Sequence, residues 1–175
     1  MNHTKNFNIF VVTDNVRHRL SEPSAMEIAE ECLKRNIWAV GGYRKNYLLK
    51  ENDFVIIYIA GTRENNKKFV ATAEISKEPI VKKTEIVNKV WDVRISLKNI
   101  KYFKSPICIM PLLNELSFIK NKEFWGASLM KAVVKINSED YQKILAYKNL
   151  ELEVQCKNCN IVTNCKSRNV IKKIK

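Results

Sequence analysis

The sequence predicts an α+β domain, a small and strongly curved mixed sheet or barrel with short helices packed on it, on three observations. About six short apolar runs, rich in β-branched and aromatic residues, accompany only two or three helical patterns. Their order, β-α-β-β-β-β-β-α, is neither the alternation of a doubly wound fold nor the unbroken strand series of a sandwich. The chain of 175 residues is also long enough to bury about two-thirds of its unfolded surface in one core without staples.

Each element has its own justification. Phe7 to Thr13 has the composition of a buried strand, and Thr13-Asp14-Asn15 is the polar loop that closes it. Ser24 with Glu27 three residues on has capping-box spacing, Pro23 precedes it, and Ala25, Ile28, Ala29, Cys32 and Leu33 form a helical stripe. Acidic Glu22, Glu27, Glu30 and Glu31 gather towards its start and Lys34-Arg35 stand at its end, which suits the helix dipole. The pattern stops at Asn36, and Ile37 to Val40 is long enough only for a short strand before Gly41-Gly42 breaks it. Trp38 in that strand is either core or the wall of a pocket.

Phe54 to Ala60 is a central strand, Thr62 to Lys68 a polar hairpin loop, and Phe69 to Ile75 a half-buried strand that Pro79 closes. Residues 80–90, with Lys82, Lys83 and Lys89, have the texture of a loop. Strand pattern resumes from Val90 to Ile95, and Pro106 and Pro111 bracket a further run, Ile107 to Met110. After a helical or irregular stretch to Ile119 and an aromatic pair, Phe124-Trp125, the segment Leu129 to Ile136 makes a last strand or turn. Asn137-Ser138-Glu139-Asp140 then starts a helix whose buried face is Tyr141, Ile144 and Leu145. The body of the domain ends near residue 150, which divides the chain into 1–150 and a tail, 151–175.

Charge points to the partner. Lys and Arg number 31 against 18 Asp and Glu, a formal +13, and such a field favours polyanions, of which nucleic acid is the most abundant in a cytoplasm. No apolar run approaches the roughly 20 residues of a membrane span, and the start of the chain has no secretion signal, so the expected location is cytoplasmic and no membrane partner is expected. There is no glycine-rich phosphate loop, and two histidines, His3 and His18, do not assemble a Ser-His-Asp or His-Glu-x-x-His constellation. No catalytic residue is assigned. An enzyme acting on a nucleotide or nucleic acid would have only Asp14, Asp92 or Cys108 to work with.

Asn36-Ile37-Trp38, the strand containing Tyr58, Ala71-Thr72-Ala73-Glu74, Trp91-Asp92-Val93-Arg94 and Leu113 to Lys122 with Trp125 nearby occur together and in this order. In that combination residues 7–150 resemble the EVE domain, of the PUA-like superfamily and related to the YTH domains. The resemblance implies a PUA-like small mixed β-barrel with flanking short helices, whose pocket takes a flipped and often modified nucleobase. It implies Trp38 as an aromatic wall, Thr13 and Asp14 as polar contacts to the base edge, and Tyr58 and Trp125 as further walls. Residues 80–90 lack the cage tryptophans of YTH domains. Around the pocket mouth Arg17, Arg19, Arg44, Lys45, Lys122 and Lys131 are the expected phosphate contacts. The implied protein is a reader of DNA or RNA working beside a restriction or modification system. Its rivals are an RNA-binding accessory module without modification selectivity, the enzyme above, and an adaptor for a protein partner.

The tail lies outside the resemblance. Cys156, Cys159 and Cys165 give C-x2-C-x5-C, whose Cys-x-x-Cys turn is the commonest half of a zinc site, with the fourth ligand to come from Cys32, Cys108, His18, water or another chain. The alternative is free thiols. No cofactor is required by the reading of residues 1–150. The tail also carries Lys157, Lys166, Arg168, Lys172, Lys173 and Lys175 from Cys156 onward with no acidic residue, the pattern of a nucleic-acid-gripping arm.

Overall fold

The computed structural model describes residues 5–14, 23–41, 48–61 and 66–147. Their elements are β1 (Phe7–Thr13), α1 (Ala25–Lys34), β2 (Ile37–Val40), β3 (Phe54–Ala60), β4 (Lys68–Ile86), β5 (Lys89–Cys108), β6 (Val133–Ile136) and α2 (Ser138–Tyr147), with single 3-10 turns at Met110–Leu112 and Trp125–Leu129. One mixed sheet runs in the order β2-β5-β4-β3-β1-β6. Only the β1–β3 pair is parallel among the described strands; the rest are antiparallel.

Helix α1 forms as its sequence dictates. Ser24 caps it, accepting from the Glu27 amide at 3.1 Å while the Glu27 carboxylate accepts from the Ser24 amide at 2.6 Å, and Asn36 turns the chain out of it with φ of 54°. The five residues of the expected stripe, Ala25, Ile28, Ala29, Cys32 and Leu33, are its buried ones. Burial pushes the Cys32 thiol up to about 11, against the backbone amide of Ala39 and the charge of Arg35, which act the other way.

The sheet is covered on both sides, so β3, near its middle, is apolar throughout instead of alternating. On one side α1 packs over Phe10, Trp38, Val55, Ile57, Ile59, Ile75 and Ile95. On the other, Ile9, Ile56, Tyr58, Phe69 and Phe103 meet Leu112, Leu116, Ile119 and the Tyr141 and Ile144 face of α2. Adjacent residues of β3 therefore serve opposite layers.

The region 80–90 is a correction. It is not a loop but the far end of a long hairpin, and Pro79 lies inside β4 instead of closing it. The ladder absorbs the proline at a bulge: Lys77 pairs with Ser96 and Ile80 with Arg94, so Glu78 and Pro79 face Ile95 alone, where a missing N–H costs no ladder bond. A similar shift sets Lys82 and Lys83 against Asp92. Ile107 and Cys108 belong to β5 and pair with Phe69 and Lys68, so no separate strand exists between the two prolines. Repeated bulges bend and twist the pair, and the six strands curl into a half-barrel.

The hairpin was hidden by its turn. Val87 and Asn88 occupy φ of 45° and 60°, both left-handed as a two-residue hairpin turn of type I′ requires, but a β-branched residue is the least suited to the first position. Val87→Asn is expected to raise stability by about 1 kcal/mol, since an unfavourable left-handed residue costs on the order of 1–3 kcal/mol and Val87 gives up some packing in exchange. A denaturant midpoint that fails to rise refutes the strained-turn assignment.

Candidate nucleic-acid interface

The parallel strands β1 and β3 end together at Thr13 and Ala60, and the residues just beyond form a tight polar knot. The Asp14 carboxylate accepts the Ala25 amide at 2.7 Å with one oxygen and the Asn66 side-chain amide with the other, so it holds the first turn of α1 against the strand ends. Gly61 makes this possible: its φ is 116°, and a Cβ there would lie 2.6 Å from Asn66 Nδ2 and 2.9 Å from Asp14 Oδ2. Asp14 is 5% exposed. The acid expected at a base edge is thus engaged in joining strand to helix, a structural duty that its position in a polar loop did not reveal. Thr13 beside it is exposed, its hydroxyl 3.3 Å from the Asp14 carbonyl.

Trp38, which the sequence leaves between core and pocket wall, is 1% exposed, with its ring stacked on Phe10 at 5.8 Å and 27°. It is therefore core in its packing. Its polar end is another matter: among the described residues the buried Trp38 Nε1 has no hydrogen-bond acceptor, and neither has the buried Nε1 of Trp91. Both indoles pack on the α1 side of the sheet. They are linked through β2 and β5, where Trp38 pairs with Ile95 and Val40 with Val93, and Trp91 Cε3 would stand 3.9 Å from a Cβ built on Gly41. Buried donors nearly always find partners, and leaving one unmade costs about 1–3 kcal/mol.

The structure does not bring the other expected walls to Trp38. Tyr58 points to the opposite side of the sheet, where it is 1% exposed and tilts against Phe69 at 5.0 Å, and Trp125 packs on that same side. The run Val55 to Ile59 is apolar at every position, so its sequence cannot say which residues face α1; the pleat decides, and Ile57 and Ile59 take that side. Burial, with a smaller effect from Cys108, pushes the Tyr58 phenol well above its ordinary range.

Of the expected phosphate contacts, Lys131 is exposed before β6, and Lys122 is exposed but donates to the Leu113 and Leu116 carbonyls at 2.6 and 2.9 Å, closing the turn they belong to. Arg17, Arg19, Arg44 and Lys45 lie outside the described residues, as do Cys156, Cys159 and Cys165 and the rest of the tail. The groups left to an enzyme are not assembled: Asp92 and Cys108 stand near opposite ends of β5, and Asp14 is the strand-to-helix clamp. Among the described residues no three His, Cys, Asp or Glu side chains are grouped to hold a metal, and no helix is long and apolar enough to cross a membrane. Trp91 was legible only as part of a strand; Phe10, Gly61 and Asn66 carried no signal of their partnership.

Comparison with known proteins places this geometry. The EVE domain model matches residues 20–147. The UPF0310 protein PH1033 of Pyrococcus horikoshii is 32% identical over 129 residues, 65% of this chain and 88% of that protein. Among solved structures, human THYN1 in complex with 5-methylcytosine containing DNA superposes with a TM-score of 0.54 at 13% identity, covering 86% of this chain and all of that one (100%). The S128A mutant of ZmASCH from Zymomonas mobilis gives 0.52 at 12% identity, covering 82% and 96%.

Proposed function

This chain belongs to the EVE domain family, and from that premise we propose that it is a nucleic-acid reader that accepts an extruded, chemically modified base on the α1 side of its sheet. The observation that carries the reading is the pair of buried indole N–H groups of Trp38 and Trp91 on that side, both without an acceptor among the described residues. A base edge offers the carbonyl and ring-nitrogen acceptors that such N–H groups take. Flipping a base costs a few kcal/mol, so the pocket must recover that amount through contacts with the base. Thr13, at the end of β1, is the exposed polar side chain nearest in sequence to the clamp. The formal charge of +13 supplies the sequence-independent grip, with Lys131 and, outside the described residues, Arg17, Arg19, Arg44 and Lys45 as contributors. The fold neighbour THYN1, solved with 5-methylcytosine containing DNA, supports cytosine modification as the first to test. A restriction nuclease or modification enzyme is the partner class that such a reader would serve, and a zinc ion on Cys156, Cys159 and Cys165 would be a folding device of the tail and no part of the reading.

The test is a titration of duplex and single-stranded oligonucleotides, unmodified and carrying methylated or hydroxymethylated cytosine, at 50 and 200 mM salt. Affinity is expected to fall about threefold over that range for each phosphate neutralised, while the ratio between modified and unmodified strands stays constant. Binding that ignores salt refutes the electrostatic grip, and equal affinity for every strand refutes the reading of a modification.

A further inference from the structure

On the side of the sheet away from Trp38 lies a cleft of about 290 Å³ between β3, the β4–β5 bulge and α2. Its floor is apolar. Phe54, Phe103, Tyr141 and Leu145 line it, and the floor is set by ring packing: Phe7 stacks on Phe54 at 5.4 Å and 13°, and Tyr141 tilts against the two at 4.9 and 5.7 Å. Its rim carries one acid and one base, Glu74 and Lys101.

These two charges do not meet. Thr72 pairs with Lys101 and Glu74 with Lys98, so Asn99 and Ile100 bulge against Ala73, with Asn99 held left-handed at φ of 52°. Glu74 and Lys101 are thereby diagonal neighbours, about 7–8 Å apart in a regular ladder and separated further by the bulged residue. Lys98, directly across from Glu74, turns outward, its Nζ 2.6 Å from Asn52 Oδ1 and 4.0 Å from Glu51. Neither Glu74 nor Lys101 makes an ion pair or side-chain hydrogen bond among the described residues, although Glu74 is half-buried. An acid and a base held apart over an aromatic floor match a ligand with the complementary ends.

We propose that this cleft is a second ligand site, for a small molecule with an amine donor at one end, an anion at the other and a flat apolar body between them. Glu74 accepts from the amine, Lys101 donates to the anion, and the edges of Phe54, Phe103 and Tyr141 contact the body. Two sources share that chemistry: a nucleoside monophosphate whose base bears an exocyclic amine, and an aromatic carboxylic acid that carries an amine on the far side of its ring. The volume of about 290 Å³ is near the lower end for small-molecule pockets, roughly 300–1,000 Å³.

Calorimetric titration of the whole chain with GMP, UMP and 4-aminophenylacetate separates them. Saturable binding of GMP identifies a nucleotide, and of 4-aminophenylacetate an aromatic amino-substituted acid; UMP, with no exocyclic amine, should bind at least tenfold more weakly than GMP. Glu74→Gln and Lys101→Met should each weaken the bound ligand about tenfold or more, as loss of a charged hydrogen bond does, and at these partly exposed sites they should leave thermal melts nearly unchanged. Trp38→Phe should leave this binding intact, which keeps the proposal separate from the base reader on the other side. The proposal is overturned if neither GMP nor 4-aminophenylacetate binds at millimolar concentration, if both substitutions leave affinity unchanged, or if UMP binds as well as GMP.

Discussion

Trp38→Ala should cost about 3–5 kcal/mol of folding stability, the range for deleting a large aromatic from a packed core. Trp38 is 1% exposed, faces Phe10 and pairs through its strand with Ile95, so no surrounding segment can collapse into the space without moving the sheet. That loss is a large share of a small domain's total, and any change in binding by this variant would be confounded with unfolding. Trp38→Phe separates the two. It keeps a ring against Phe10 and removes the N–H, so its melt should stay much closer to wild type while its preference for the modified base falls by about tenfold, the value of one buried hydrogen bond. Thermal melts alongside the oligonucleotide panel give both readings. A Trp38→Phe protein that discriminates as well as wild type would falsify the role assigned to the indole N–H, leaving Trp38 as core alone.

Asp140→Ala should be the next most damaging change, at about 3 kcal/mol. Its carboxylate is fully buried at the start of α2 and accepts from the Ser117 amide at 2.8 Å, the Ser117 hydroxyl at 2.8 Å and the Phe118 amide at 3.1 Å. Removing it leaves two backbone donors without acceptors, each worth about 1–3 kcal/mol. The carboxylate also ties the 113–122 turn to α2, whose own first turn is capped by Asn137 accepting from the Asp140 amide at 2.7 Å. Asp140→Asn, with one acceptor oxygen remaining, should lose less than the alanine variant. Urea midpoints measure both; an alanine variant as stable as wild type would show that the turn finds other acceptors.

Much of the architecture was legible because local signals and burial agree. The α1 stripe follows from its 3.6-residue period and its capping box, α2 from Asn137 and the acids after it, and the strand order from alternating apolar runs and turns. The resemblance to the EVE domain extended that reading to the curled sheet, and residues 20–147 match the family. What the sequence withheld was set by long-range geometry. Val55 to Ile59 is apolar on both faces, so it could not show that Tyr58 and Trp38 lie on opposite sides. Val87-Asn88 lacks the glycine or Asn-Gly that announces a hairpin, so a lysine-rich hairpin end passed for a loop. The clamp of Asp14 on Ala25 depends on Gly61 bringing the end of β3 close to that of β1, and Glu74 with Lys101 became a candidate site only through a bulge that their own residues do not encode.

The place of β1 in the sheet has a consequence for how the protein is made. It lies between β3, which comes later in the chain, and β6, near the far end of the described residues. Emerging before either of its partners, Phe7–Thr13 has neither β3 nor β6 to pair with; β4 and β5, joined by a two-residue turn, can zip together as soon as they are out. Until β6 arrives, an apolar strand rich in Phe, Ile and Val is held with at least one edge unpaired, the condition under which nascent chains associate with one another. The interval between synthesis of β1 and synthesis of β6 is thus the one in which this chain is most open to association with its own copies.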